Sequence, residues 1–166
     1  MALSRCELLR VIVGSQAHGL AGPKSDTDYR GIYVVPTDEI LSLNYRHKGA
    51  HWVEGESEDH TAYEIGHFLT LAIQCNPTIL EVCLAPTVTT TEWGTRLQAL
   101  FPALIDPDRA YAAFCGYANS QQKKFLNNKD GRAHKFAAAY VRVLYQLVEL
   151  LTTGTFTVRI GDTPIG

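Results

Sequence analysis

An excess of positive charge is missing from this sequence: 15 Lys and Arg stand against 17 Asp and Glu, for a formal net charge of −2. The global basic footprint of a nucleic-acid binder is therefore absent, and any polyanion must be met by cations gathered locally. Paired cysteines are missing as well. Cys6, Cys75, Cys83 and Cys115 are scattered, with no C-x-x-C pair. A domain of 166 residues can bury a sufficient core without a disulfide frame, so reduced thiols in an intracellular protein are expected. No apolar run approaches the length of a membrane span. Arg5 and Arg10 interrupt what would be the apolar region of a secretory signal, so a cytoplasmic protein without a membrane partner is expected. Repeats and low-complexity segments are also lacking. What is there, 46% apolar and 19% charged residues, is the composition of a folded globular domain.

The order of hydrophobic patterns gives the organisation. Leu8–Val13 reads as a buried strand meeting a tight turn at Gly14, and Ser15–Leu20 as the first turns of a helix broken by Gly22-Pro23. Asp28–Val35 is a second strand closed by Pro36. Residues 37–50 read as a surface excursion, and a third, more polar strand is expected within His51–Thr61. Ile65, Phe68, Leu69 and Ala72 then form one helical face ending before Asn76-Pro77. Ile79–Leu84 fits either strand or helix. Helices are expected over Thr91–Leu100, from Asp106-Pro107-Asp108 (Asp108 as N-cap) to about Leu126, and over Arg132–Leu151 up to Gly154. Thr155–Ile160 alternates like a strand. The class is α+β: strands and one helix first, then a helical half, with a boundary near Pro86 that divides 1–86 from 87–166.

Asp26 and Asp28 lie two apart at a strand entry, so both side chains should project from one face. Paired carboxylates repel unless a cation lies between them, and hard oxygen ligands suit Mg²⁺, which completes its shell with water and substrate phosphates. An isolated D-x-D would read better as a polar turn. This one follows a strand–Gly14-Ser15–helix junction, where backbone N–H groups and a hydroxyl can meet a phosphate. Arg30, two residues further, should point the same way, either to contact phosphate or to offset the carboxylates.

The stretch VIVGSQAHGLAGPKSDTDYRGIYVVP resembles the signature of the DNA polymerase beta-like nucleotidyltransferase superfamily: hydrophobic–Gly–(Gly or Ser), a short helix, then Asp–x–(Asp or Glu). Its extended form, with Ala17-His18-Gly19 and Ser25–Gly31, is similar to predicted bacterial and phage nucleotidyltransferases found near RNA-repair ligases. Asp59, Tyr63, Phe68-Leu69 and Asn76–Glu81 continue the likeness, and Gly116-Tyr117, Gln121, Lys135 and Arg142 echo it more loosely. Two departures stand out. Thr27 occupies a place that is usually aliphatic, and relatives often extend beyond the equivalent of Gly166.

The resemblance implies a small mixed-sheet catalytic core, the polymerase beta-like palm, followed by packed helices. It implies transfer of NMP from an NTP to an acceptor hydroxyl, with RNA or tRNA ends among the acceptors. Asp26 and Asp28 would bridge two Mg²⁺ ions, Mn²⁺ substituting, and Asp59 would be the third metal ligand, with Glu58 and Glu56 as fallbacks. Gly14 and Ser15 would hold phosphates. His18 would contact substrate or pack the turn. Lys135 and Arg142, three to four residues either side of Ala139 on the last long helix, would form a basic face with Arg132 nearby and Lys123 and Lys124 on the preceding helix; the competing reading is a solvated surface. Other acceptors, a protein side chain or a small hydroxylated molecule, stay open, as does a catalytically silent nucleotide-binding module. His47, His51, His60 and His67 read as surface histidines rather than a zinc site. Asn76-Pro77 and Glu81 read as a helix stop and a following turn, and Trp52 and Trp93 as core or loop anchors.

Overall fold

The computed structural model describes residues 5–43, 50–52, 60–127 and 131–166. Strand β1 (Cys6–Val13) pairs antiparallel with β2 (Asp28–Val34), and a five-residue helix, α1 (Gly14–His18), lies between them in the chain. After the short helix α2 (Thr37–Ile40) come β3 (Ala50–Trp52) and β4 (His60–Glu64); β4 runs parallel to β2 and antiparallel to β3. The expected single polar third strand is thus two strands, and the excursion over 37–50 contains a helical turn. Helices α3 (Ile65–Ala72) and α4 (Pro77–Leu84) follow, then β5 (Thr87–Thr90), which pairs antiparallel with β1. The described sheet has the order β3-β4-β2-β1-β5. The chain closes with α5 (Glu92–Ala99), α6 (Phe101–Leu104), α7 (Pro107–Asn127), α8 (Ala133–Thr153) and a 3-10 turn at Ile160–Asp162. The α+β class is as expected: a small mixed sheet and a helical C-terminal half.

The two faces of the sheet differ. Leu9, Val11 and Val13 of β1 and Ile32 of β2 enter one core with Phe68, Ile79, Leu80, Phe114, Val143 and Leu150, side chains carried by α3, α4, α7 and α8. The opposite face carries a small cluster of Tyr33, Val35 and Ala62. The helices therefore cover the face to which alternate β2 residues (28, 30, 32) point.

Local chemistry sets the helix ends. Asn76 does not merely stop α3; its Oδ1 accepts from Thr78 N (3.1 Å) and begins a new helix, with Pro77 in the first turn. Ile79–Leu84 is helical, continuing the helix that Asn76 caps, and it is buried nearly all round, a pattern that carries no readable period. Thr91 caps α5 through Gly94 N at 3.2 Å, while Gly94 itself must be small because a Cβ there would strike the Leu8 carbonyl. At α7 the capping side chain is Asp106, accepting from Arg109 N at 2.9 Å, and Asp108 lies inside the helix. Gly154, at φ +79, ends α8 as expected.

Two segments reverse the sequence expectation. Thr87–Thr90 is an edge strand with four exposed residues, so nothing in its pattern signalled a buried face. Thr155–Ile160 does alternate, with Phe156, Val158 and Ile160 buried, but it forms no strand because its polar groups bond to α8 instead. Glu149 accepts from Thr157 N and Oγ1, and Gln146 Nε2 donates to Thr157 O at 2.9 Å. Among the described residues, no helix is long and apolar enough to cross a membrane.

Candidate active site

The register of β1 against β2 sets Val13 opposite Asp28, so the residue that follows β1 lies beside the entry to β2. That residue is Gly14, at φ +68, where an L side chain is strained. Space demands glycine there too: a Cβ would collide with Asp28 Oδ2. The Asp28 carboxylate thus occupies the volume that any other residue at 14 would fill. Ser15 is partly buried in α1, and its hydroxyl makes no hydrogen bond within the described residues. Asp26 is exposed, likewise with no hydrogen bond there, and precedes β2 rather than belonging to it. The expected strand geometry therefore applies to Asp28 and Arg30 but not to Asp26.

Asp28 and Ser15 at the junction, and Asp26 two residues ahead of Asp28 in the chain, offer only hard oxygens, the donor chemistry that suits a Mg²⁺ drawing its other ligands from water and phosphate. Among the described residues no three His, Cys, Asp or Glu side chains group as a metal site. Asp59, together with Glu58 and Glu56, lies outside the described residues.

Further in, a network appears that the sequence reading passed over. Glu81 is not in a turn; it sits within α4, 4% exposed. Its Oε1 is 2.9 Å from His18 Nε2, and its Oε2 accepts from Arg142 Nη1 at 3.3 Å. The same Nη1 donates to Gln146 Oε1 at 3.0 Å, and Gln146 continues to the Thr157 carbonyl. Burial pushes the Glu81 carboxyl toward neutrality, but the His18 hydrogen bond and the charges of Arg142, His18 and Arg30 together outweigh it and hold its pKa below the ordinary value. An ionised carboxylate only accepts, so His18 must carry its proton on Nε2. The signal was present in the sequence as a lone charge inside the apolar run ILEVCL.

The expected basic face divides. Arg142 is buried, 7% exposed, and belongs to this network, whereas Lys135 and Arg132 are exposed near the start of α8. Lys123 and Lys124 are exposed late in α7, with Lys124 Nζ 5.9 Å from the Phe136 ring centroid. Arg30 Nη1 donates to the Tyr29 carbonyl at 3.0 Å. Two further expectations are corrected: His60 is wholly buried rather than at the surface, and Trp93 is exposed under the Arg96 guanidinium rather than anchored in the core. His47 lies outside the described residues.

Gly14, Ser15, Asp28 and Arg30 thus adjoin at the β1–α1 junction and the start of β2, while His18 joins α1 to α4 and α8 through Glu81. A search of curated proteins finds no match. The family model of the RNA repair pathway DNA polymerase beta family (RlaP) matches residues 7–160, which takes in the β1–α1 junction, both aspartates, Glu81 and Arg142. The chain belongs to the RNA repair pathway DNA polymerase beta family.

Proposed function

We propose that this protein is a metal-dependent nucleotidyltransferase that moves NMP from an NTP to an acceptor hydroxyl, releasing pyrophosphate, with RNA or tRNA ends as the acceptor. Membership of a polymerase beta family supports nucleotidyl transfer in general. The observation that carries the reading to this site is the Asp28 carboxylate lodged in the space left by the missing side chain of Gly14. A polar turn of no consequence has no need of a left-handed glycine shaped around one carboxylate.

Asp26 and Asp28 would hold Mg²⁺, for which Mn²⁺ would substitute, with Asp59 as the third ligand. When bound, the metal lowers the pKa of the attacking hydroxyl and neutralises charge on the triphosphate and leaving group. The Ser15 hydroxyl, with the adjoining backbone N–H groups at Gly14 and beyond, binds phosphate oxygens. Arg30 and Arg142 add positive charge at that end of the nucleotide, His18 lies beside them, and exposed Lys135 attracts it from further away. The acceptor oxygen bonds to the α-phosphorus as the bond to the β-phosphate oxygen breaks, and the hydroxyl proton is lost to solvent.

Incubation with each α-³²P-labelled NTP, Mg²⁺ and separate RNA, protein and small hydroxylated acceptors tests this. Label should appear on RNA, and Asp28→Asn or Asp26→Asn should reduce transfer about a thousandfold or more with the fold intact by circular dichroism. Full activity in either variant refutes the assignment. Label on protein or on a small molecule relocates the acceptor, and tight NTP binding without transfer to anything favours the silent module.

A further inference from the structure

We propose that Glu81 is a positioning residue that holds His18 and Arg142 side by side, so that together with Arg30 they clasp the polyphosphate tail of the nucleotide. This rests on the nucleotidyl-transfer reading for the identity of the anion, but the site itself stands on separate observations.

The first is an imbalance of charge. Glu81 is a single carboxylate, and it faces two buried basic side chains, His18 and Arg142, with Arg30 close enough to act on it electrostatically. Glu81 offsets the charge of Arg142, and the Arg30 guanidinium remains as further positive charge that a polyanion can meet.

The second is hydrogen-bonding capacity left over. Both side-chain hydrogen bonds of Arg142 leave from Nη1, one to Glu81 and one to Gln146. Arg142 Nε and Nη2 and His18 Nδ1 have no protein partner within the described residues, yet none of them is a buried atom lacking a partner. These nitrogens therefore reach solvent although their side chains are buried. A guanidinium fixed on one side and open on the other presents its planar fork to a phosphate.

The third is location. His18 ends the helix that begins at Gly14, and Arg30 shares the helix-covered face of β2 with Asp28. Polyphosphate held by these groups would extend from the Asp28 carboxylate toward α4.

A residue that only offsets charge and one that positions cations predict opposite signs. Glu81→Gln removes a negative charge, so simple offsetting predicts tighter anion binding. Positioning predicts the reverse, because the amide cannot hold both partners as a carboxylate does. Binding of inorganic tripolyphosphate by isothermal titration calorimetry, without metal and with EDTA present, separates the two. Glu81→Gln should weaken binding about tenfold despite the loss of a negative charge. In NTP transfer it should raise KM more than it lowers kcat. Arg96→Ala, an exposed cation on α5 paired with Glu92, removes a charge elsewhere and should leave tripolyphosphate affinity unchanged.

Tighter or unchanged binding in Glu81→Gln overturns the proposal, as does a wild-type protein that binds no tripolyphosphate. If Glu81→Gln does not fold, His18→Gln and Arg142→Lys keep the carboxylate and carry the test. Each must weaken binding, and unchanged affinity in either overturns the proposal. Failure of the transfer reading is distinguishable, since it shows as absence of transfer to any acceptor while tripolyphosphate binding and its loss in Glu81→Gln persist.

Discussion

Asp28 and Glu81 are both carboxylates on the same side of the sheet, and the protein accommodates them by opposite means. Asp28 stands at the rim, partly buried, in a space that exists because residue 14 has no side chain. Its setting is built from backbone: a strand register, a left-handed glycine and a short helix. Glu81 stands in the interior of α4, and its setting is built from side chains brought from α1 and α8. Breaking such a buried pair is costly, while the intact pair contributes little net stability, so its presence points to precise placement rather than to strength of the fold. At the rim the backbone makes room for a charge; in the interior a charge fixes other side chains.

The sharpest way to break this contrast is to fill the rim. Gly14→Ala forces a Cβ into the position of Asp28 Oδ2 and imposes φ +68 on an L residue. Turnover should fall about a hundredfold or more, while urea unfolding should show a loss of only about 1–2 kcal/mol, the scale of a strained left-handed alanine. Activity and stability falling in proportion would mean that Gly14 serves the fold alone.

The interior is probed by acid. The folded pKa of Glu81 is depressed, so its stabilisation is fully present above the unfolded value near 4.5 and is lost as pH falls through the folded value. Thermal melts of wild type should therefore lose Tm as pH drops from about 5 toward 3, and those of Glu81→Gln should lose less over the same window. Parallel curves would show that Glu81 ionisation is not linked to folding.

What could be read in advance follows the same division. The β1–Gly14–Ser15–Asp28 junction was legible because it is contiguous: a β-branched run, a glycine, then a strand rich in Tyr, Ile and Val. The long helices α7 and α8 were legible from apolar period and end signals, although the cap of α7 belongs to Asp106. The Glu81 network was not, since its partners lie 63 and 61 residues away. Arg142 looked like one more cation on a basic stripe because helical spacing gives a face and not what covers it. Strand β5 escaped notice because an exposed edge strand needs no alternation, and Thr155–Ile160 misled because its alternation is real while its hydrogen-bond partners are side chains of α8.

Lys135 and Arg142 offer the finest test, because they are seven residues apart on one helix and differ chiefly in burial. A cation in water acts through a screened field, with a range of about 10 Å at 0.1 M salt. A buried, ion-paired guanidinium acts by contact and is screened little. Lys135→Ala should therefore raise the KM for NTP only about twofold at low ionic strength, and the difference should vanish at about 0.5 M salt. Arg142→Lys should raise KM by a larger factor that persists in high salt, since the fork is lost and not merely the charge. If the two variants respond to salt alike, the distinction between an attracting surface and a positioning interior fails, and the whole of α8 is better regarded as one basic face.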